Sequence, residues 1–225
     1  MQTDKQSLSH IRTTYKQFGF YGFCKRAIKA VLRKIYIEWE SFNYYEIDIS
    51  RRIDVIKEVL SKYNFNVMKL SLDDFAHGDK DIFNSKKMSV LKDRFSKDSY
   101  EAYGIFDGDE LVFSAWISLD EFVSSVKELG HQLDSEEVLL LDSYCNPSHR
   151  GKGLQNYMVA YRLFMAYKKE KKKGVTLALT ENTPTNKAQL KSGFEKAFKY
   201  TTIIVFGHLF TDFNSKKKKY LDSLR

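Results

Sequence analysis

Residues 138–180 constrain the fold more than any other part of this chain. Residues 138–145 (VLLLDSYC) form a mostly apolar run of strand length, which predicts a central strand buried on both faces for most of its length. The run stops at Asn146-Pro147, and the loop NPSHRGKGLQN that follows sets Gly151 and Gly153 beside Arg150 and Lys152. Leu154, Tyr157, Met158, Tyr161, Met165 and Lys168 then recur at helical spacing, with Phe164 on the same side. Residues 168–173 and Gly174 read as a cationic last turn with a terminal glycine, and residues 175–180 (VTLALT) as a second strand. A strand, a helix and a strand in this order make a parallel crossover.

The loop has its own chemistry. A helix N-terminus leaves about four amide N–H groups without intrahelical partners and carries roughly half a positive charge. Glycines let an anion approach that backbone, Arg150 and Lys152 add cations, and the preceding strand puts the loop at the carboxyl edge of a sheet. This points to a phosphate or pyrophosphate, against the plainer reading of a glycine turn. A P-loop would need Gly-x-x-x-x-Gly-Lys-Ser/Thr, and a dinucleotide fingerprint a third glycine near Asn156; neither is present.

The rest of the chain predicts a β-rich body with helices between its strands. Apolar residues from Phe20 to Trp39 recur at three-and-four spacing with cations between them, an amphipathic basic helix whose apolar stripe is expected to dock on the protein. Residues 44–49 read as a strand, 53–60 as a helix, 66–72 as a strand and 83–95 as a helix. Residues 100–106 and 111–119 flank Asp107-Gly108-Asp109-Glu110, a hairpin signal, so these strands should pair antiparallel. A short helix is expected over 120–131, another over 186–191 with Gly193 as its stop, and a last strand over 198–206.

Composition narrows the setting. The chain has 225 residues and 43% hydrophobic residues, enough for one substantial domain. The expected division is a helical extension over 1–43 and a main domain over 44–225. Cys24 and Cys145 lie far apart with no metal-ligand spacing, so neither a disulfide framework nor a metal site is expected. The opening MQTDKQSLSH lacks the apolar segment of a secretory signal, and a cytoplasmic protein is expected. The net charge of +8 is concentrated in residues 1–40, which carry +5, and in Lys216–Lys219. A solvated face is the favoured reading over nucleic acid; membrane contact through residues 20–39 and a homodimer stay open but unfavoured.

On these residues the chain resembles the GNAT superfamily of acetyl-CoA-dependent N-acetyltransferases. Arg150-Gly151-Lys152-Gly153-Leu154-Gln155 matches the superfamily's loop pattern except at Gln155, where Gly or Ala is usual. Asn182 precedes Gly193-Phe194 by the superfamily's spacing. The likeness covers residues 137–206 and implies an α/β (α+β) fold, a mixed central sheet flanked by helices, with the basic amphipathic helix as an extension.

The resemblance further implies that the backbone of Arg150, Gly151, Lys152, Gly153, Leu154 and Gln155 holds the pyrophosphate of acetyl-CoA. Tyr144 and Cys145, at the splayed strand end, would meet the pantetheine arm and thioester, and Asn182 completes the set. The implied reaction is direct transfer of an acetyl group to an amine-bearing small molecule or peptide. A carboxylate near the central strand is the expected base: Asp142 by location, Glu137 second, with a capping or pairing role open for Asp142. Gln189 stands where many members carry a proton-donating tyrosine, so a CoA-binding module without efficient chemistry is the alternative. The acceptor should be set by residues 70–100 and 118–136, which carry no recognisable pattern.

Overall fold

The computed structural model describes residues 36–122 and 132–224, together with 20, 22, 24–26 and 28–32. The fold is α/β, with a mixed sheet in the strand order β2-β3-β4-β5-β6-β1-β7-β8. The strands are β1 (Ile37–Asp48), β2 (Val67–Lys69), β3 (Tyr100–Asp107), β4 (Glu110–Ser118), β5 (Glu137–Cys145), β6 (Lys173–Leu179), β7 (Glu195–Val205) and β8 (His208–Thr211). The helices are α1 (Ile49–Ser61), α2 (Ser85–Phe95), α3 (Leu154–Tyr167), α4 (Thr183–Lys191) and α5 (Phe213–Ser223). The described residues form two compact units, one of 46–122 and 132–176, the other of 36–45, 177–224 and the described N-terminal residues.

In the unit of residues 46–176, β3 and β4 form the expected antiparallel hairpin, closed at Asp107↔Glu110 around Gly108. β5 pairs antiparallel with β4 and parallel with β6, so α3 is the crossover that the sequence demanded. Asp48 caps α1 by accepting from the Arg51 N–H at 3.0 Å, and Asn84 caps α2 in the same way through Lys87. The side chains of Leu70, Phe75, Phe83, Leu91 and Trp116 bury together, Phe75 from the 3-10 turn Asp73–His77 and Leu91 from α2. The Phe75 and Trp116 rings stack with centroids 5.7 Å apart.

Three expectations change here. β5 is buried only over Glu137–Leu140, because its second half carries a bulge. The expected strand over 66–72 shortens to three residues. Gly174 does not stop α3: the helix ends at Tyr167, and Gly174 lies inside β6. A Cβ there would stand 2.6 Å from Leu163 Cδ2, so the glycine permits close packing of helix on strand. The helix expected over 120–131 falls mostly outside the described residues.

In the unit of residues 36–45 and 177–224, Phe42 stacks on Tyr200 and Tyr44 on Phe198, with centroids 5.3 and 4.6 Å apart. Phe213 of α5 is fully buried against them. Here β1 starts at Ile37, so Trp39 belongs to a strand rather than to the expected helix. The aromatic residues of β1 (Trp39, Phe42, Tyr44, Tyr45) favour a strand inside the sheet over the end of a three-and-four pattern. β8 and α5 were not anticipated, since the run Lys216–Lys219 reads locally as a tail.

Of the described apolar-stripe residues of the N-terminal helix, Cys24 and Leu32 are half-buried. Phe20, Ile28 and Val31 of the apolar stripe are exposed, whereas Lys29 is 5% exposed. Its ammonium lies 2.5 Å from Glu40 and 3.0 Å from Glu181, and Lys25 reaches Glu181 at 3.2 Å. Burial raises the Glu181 carboxyl and the bonds from Lys29 and Lys25 outweigh it, leaving it at about 2. A buried acid is costly unless paired, and the lysines pair it. Phe23, Ala27 and Ile35 of the stripe lie outside the described residues.

Candidate functional site

β5 contains one extra residue relative to β4. Trp116 pairs with Leu141 and Ser114 with Tyr144, so Asp142 and Ser143 together oppose Ala115. Asp142 sits at φ 50, a left-handed conformation that aspartate enters more readily than most residues because its short side chain can bond locally. The parallel ladder to β6 runs only from Glu137↔Lys173 to Leu140↔Thr176. Beyond the bulge, β5 has β4 as its one paired neighbour among the described residues.

Charge fixes the bulge. The Asp142 Oδ2 lies 2.5 Å from Lys87 Nζ and 2.5 Å from Arg94 Nη1, both on α2. Burial pushes the Asp142 carboxyl up, and these two cations outweigh it, holding the group below the usual carboxylate range. Arg94 also lies over the Trp116 ring, 5.2 Å from its centroid. On α3, Arg162 is 2% exposed. Its Nη1 donates to Trp116 O at 3.0 Å and Leu141 O at 3.4 Å, its Nη2 to Ser143 Oγ at 3.1 Å, and its Nε to Met158 O at 3.1 Å. Burial pushes the Arg162 guanidinium down to about 9, still a cation at neutral pH.

Past the bulge, the Tyr144 hydroxyl donates to Asp79 Oδ2 at 2.9 Å and its ring rests edge-on against Phe83. Burial and that bond push its pKa up, so it stays a donor. Burial also pushes the Cys145 thiol up, more than Arg150 and Lys152 pull it down. The thiol therefore lacks the thiolate character of a nucleophile.

The loop continues from there. Asn146 Oδ1 accepts from the Ser148 N–H at 3.1 Å and Oγ at 2.8 Å, which starts the 3-10 turn Pro147–His149. Arg150 Nε donates back to Cys145 O at 3.3 Å, tying the loop to the end of β5. Gly151 and Gly153 both take positive φ, 82° and 83°. A Cβ on Gly151 would meet no heavy atom within 4 Å. Gly153 is the N-cap of α3 and offers no capping side chain, whereas Asp48, Asn84 and Asn182 cap their helices. Leu154 is buried, leaving its backbone as its contribution to the loop.

The expected site residues therefore divide. Tyr144, Cys145 and Arg150 through Gln155 come together at one end of β5. Glu137 is buried at the other end of the strand, eight residues and roughly 26 Å from Cys145 at ~3.3 Å per residue. Asn182 belongs to the other compact unit, where its side chain caps α4 through the Thr185 N–H at 3.3 Å. Gln189 is 8% exposed in α4, and Gly193 closes that helix at φ 89.

Sequence reasoning missed Arg162, Lys87, Arg94 and Tyr63. For Arg162 a signal existed: it is the sole charge in the fourteen residues of α3. Lys87 and Arg94 look like any solvated cations on a helix, and only the packing of α2 on β5 selects them. Tyr63 packs on Gly153, a contact between residues ninety apart in sequence.

No family model and no curated protein matches the sequence. Among solved structures, a functionally unknown conserved protein from Staphylococcus epidermidis gives a TM-score of 0.54 at 13% identity, over 79% of this chain and 66% of that one. A Drosophila protein gives 0.51 at 16% identity, over 83% of this chain and 58% of the other. The chain thus spans less than two thirds of the length of either. The aminoglycoside 6′-N-acetyltransferase AAC(6′)-Ih from Acinetobacter baumannii gives 0.48 at 13% identity, over 59% of this chain and 92% of that one. The solved structures to which this chain is similar include GNAT acetyltransferases, at low sequence identity.

Proposed function

We propose that the chain is an acyltransferase that moves an acetyl group from acetyl-CoA to an amine in a ternary complex. One observation carries this reading. The loop after the bulged strand places two left-handed glycines, two cations and an uncapped helix start together, with open space over Gly151. That arrangement fits a pyrophosphate, since free amides and a helix end stabilise an anion without a side chain in the way. Arg150 to Gln155 would hold the pyrophosphate, and the backbone of Ser143, Tyr144 and Cys145 would face the pantetheine arm. Acetyl-CoA supplies the acetyl group as a thioester, and amide donors fixed at the strand end would favour negative charge developing on its carbonyl oxygen.

In this reading Asp142 is not the base. Its carboxylate already takes two cations and holds an unusual backbone conformation, so we assign it a conformational role. Glu137 stands at the wrong end of β5. The amine would lose its proton to solvent, and rate would come mainly from positioning. The acceptor would be an amine-bearing small molecule or peptide.

A second reading rests on Gln189. A glutamine cannot supply a proton to a departing thiolate, and with Asp142 engaged the chain lacks both expected acid and base. It would then bind acetyl-CoA without transferring the group. Calorimetry with acetyl-CoA tests the shared part: submillimolar binding supports the loop assignment, and its absence removes both readings. Thiol release on adding a panel of sugar amines, polyamines, amino acids and peptides separates them, turnover supporting the transferase and binding without turnover the module.

A further inference from the structure

Three cations converge on the two bulged residues of β5 and on Leu141 just before them, and they arrive from two helices. Lys87 and Arg94 of α2 take the Asp142 carboxylate. Arg162 of α3 takes Leu141 O and Ser143 Oγ, the residues on either side of Asp142, and Trp116 O of the partner strand. Arg162 differs from the other two because, among the described residues, no carboxylate bonds it: its four acceptors there are neutral oxygens, three of them backbone carbonyls.

A buried guanidinium without an acid is expensive to keep, and hydrophobic residues of similar volume would pack as well at that depth. Its geometry explains its presence. Trp116 and Leu141 form the last regular pair before the bulge, and Ser143 is the second bulged residue. A planar fork of five donors can tie these points together at fixed spacing, which a lysine with one ammonium cannot do. The fork therefore sets the step at Ser143 after which the ladder resumes, with Tyr144 and Cys145 opposite Ser114 and Phe113.

Resting on the reading of this strand end as the pantetheine site, we infer that Arg162 is a positioning residue that fixes the bulge and thereby the acyl end of the CoA cleft, while leaving the pyrophosphate loop to Gly151 and Gly153. The two ends of the donor then depend on different residues. Acetyl-CoA affinity needs both; 3′-phosphoadenosine 5′-diphosphate, which keeps the pyrophosphate and lacks the pantetheine arm, needs only the loop.

The test uses the full chain and calorimetry with both ligands. Arg162→Gln and Arg162→Lys should weaken acetyl-CoA at least tenfold and change 3′-phosphoadenosine 5′-diphosphate less than twofold. In Arg162→Ala, added guanidinium at millimolar concentration should recover most of the lost acetyl-CoA affinity. Ser143→Ala, at an exposed position, should weaken acetyl-CoA about threefold with the diphosphate unchanged, and it decides the matter if the Arg162 variants do not fold. Equal losses for both ligands, or unchanged acetyl-CoA affinity in folded variants, overturn the inference. Failure of the unsubstituted protein to bind either ligand overturns instead the functional reading on which it rests.

Discussion

A Cβ on Gly153 would stand 3.0 Å from the Tyr63 hydroxyl and from Tyr63 Cε1, so the α1–β2 connection packs directly on the start of α3. Gly153 thus has two reasons to be glycine, its positive φ and this neighbour, whereas Gly151 has only its φ.

That difference predicts unequal costs. Gly151→Ala should lose about 1–2 kcal/mol, the strain of a left-handed alanine. Gly153→Ala adds a contact that Tyr63 must relieve, and should lose more. Urea denaturation measures both, and equal costs would contradict the packing of Tyr63. In Tyr63→Ala the two glycine substitutions should converge.

Arg150→Glu should raise the acetyl-CoA dissociation constant at least tenfold without altering the thermal midpoint by more than a few degrees. Its guanidinium is exposed and makes one backbone bond, to Cys145 O, so little folding energy is at stake. Calorimetry at two salt concentrations checks the charge origin, because a pyrophosphate contact weakens with ionic strength. An unchanged constant would remove Arg150 from the site.

Asp142→Asn keeps a residue that tolerates positive φ while removing the charge. It should destabilise the protein by about 1.5–3 kcal/mol, the range for charged hydrogen bonds. The sign with pH follows from the depressed carboxyl: the contribution is fully present above the unfolded carboxyl range and is lost as pH falls through the lower folded value. Melting curves of the two proteins should therefore differ at pH 7 and converge in acid. Acetyl transfer should survive the substitution; a loss of a hundredfold or more in a folded variant would return Asp142 to the role of base.

Glu181 gives a second pH signature. Its carboxyl, at about 2 in the folded protein against 4.5 ordinarily, contributes stability above pH 4.5 that disappears toward pH 2. Lys29→Met breaks the centre of that network and should lower the thermal midpoint at pH 7, with a smaller difference at pH 3. A difference that does not depend on pH would show that Lys29 contributes through its packing alone.

The sequence alone determined what local pattern can encode. The crossover from β5 through α3 to β6, the hairpin at Gly108, the loop from Arg150 to Gln155 and the stop at Gly193 each follow from runs, spacings and turn residues within a few dozen positions. Tertiary structure alone decided what depends on distant partners. β1 stands between β6 and β7 because strand order is set by pairing across the chain. Lys29 is buried because Glu181, 152 residues away, needs a counter-ion. Asp142 is anchored because Lys87 and Arg94 reach it from α2, and Arg162 became legible because the carbonyls of a bulge require a donor. Charge in a sequence has a sign but no address; folding supplies the address, through the cost of burying an ion without its partner.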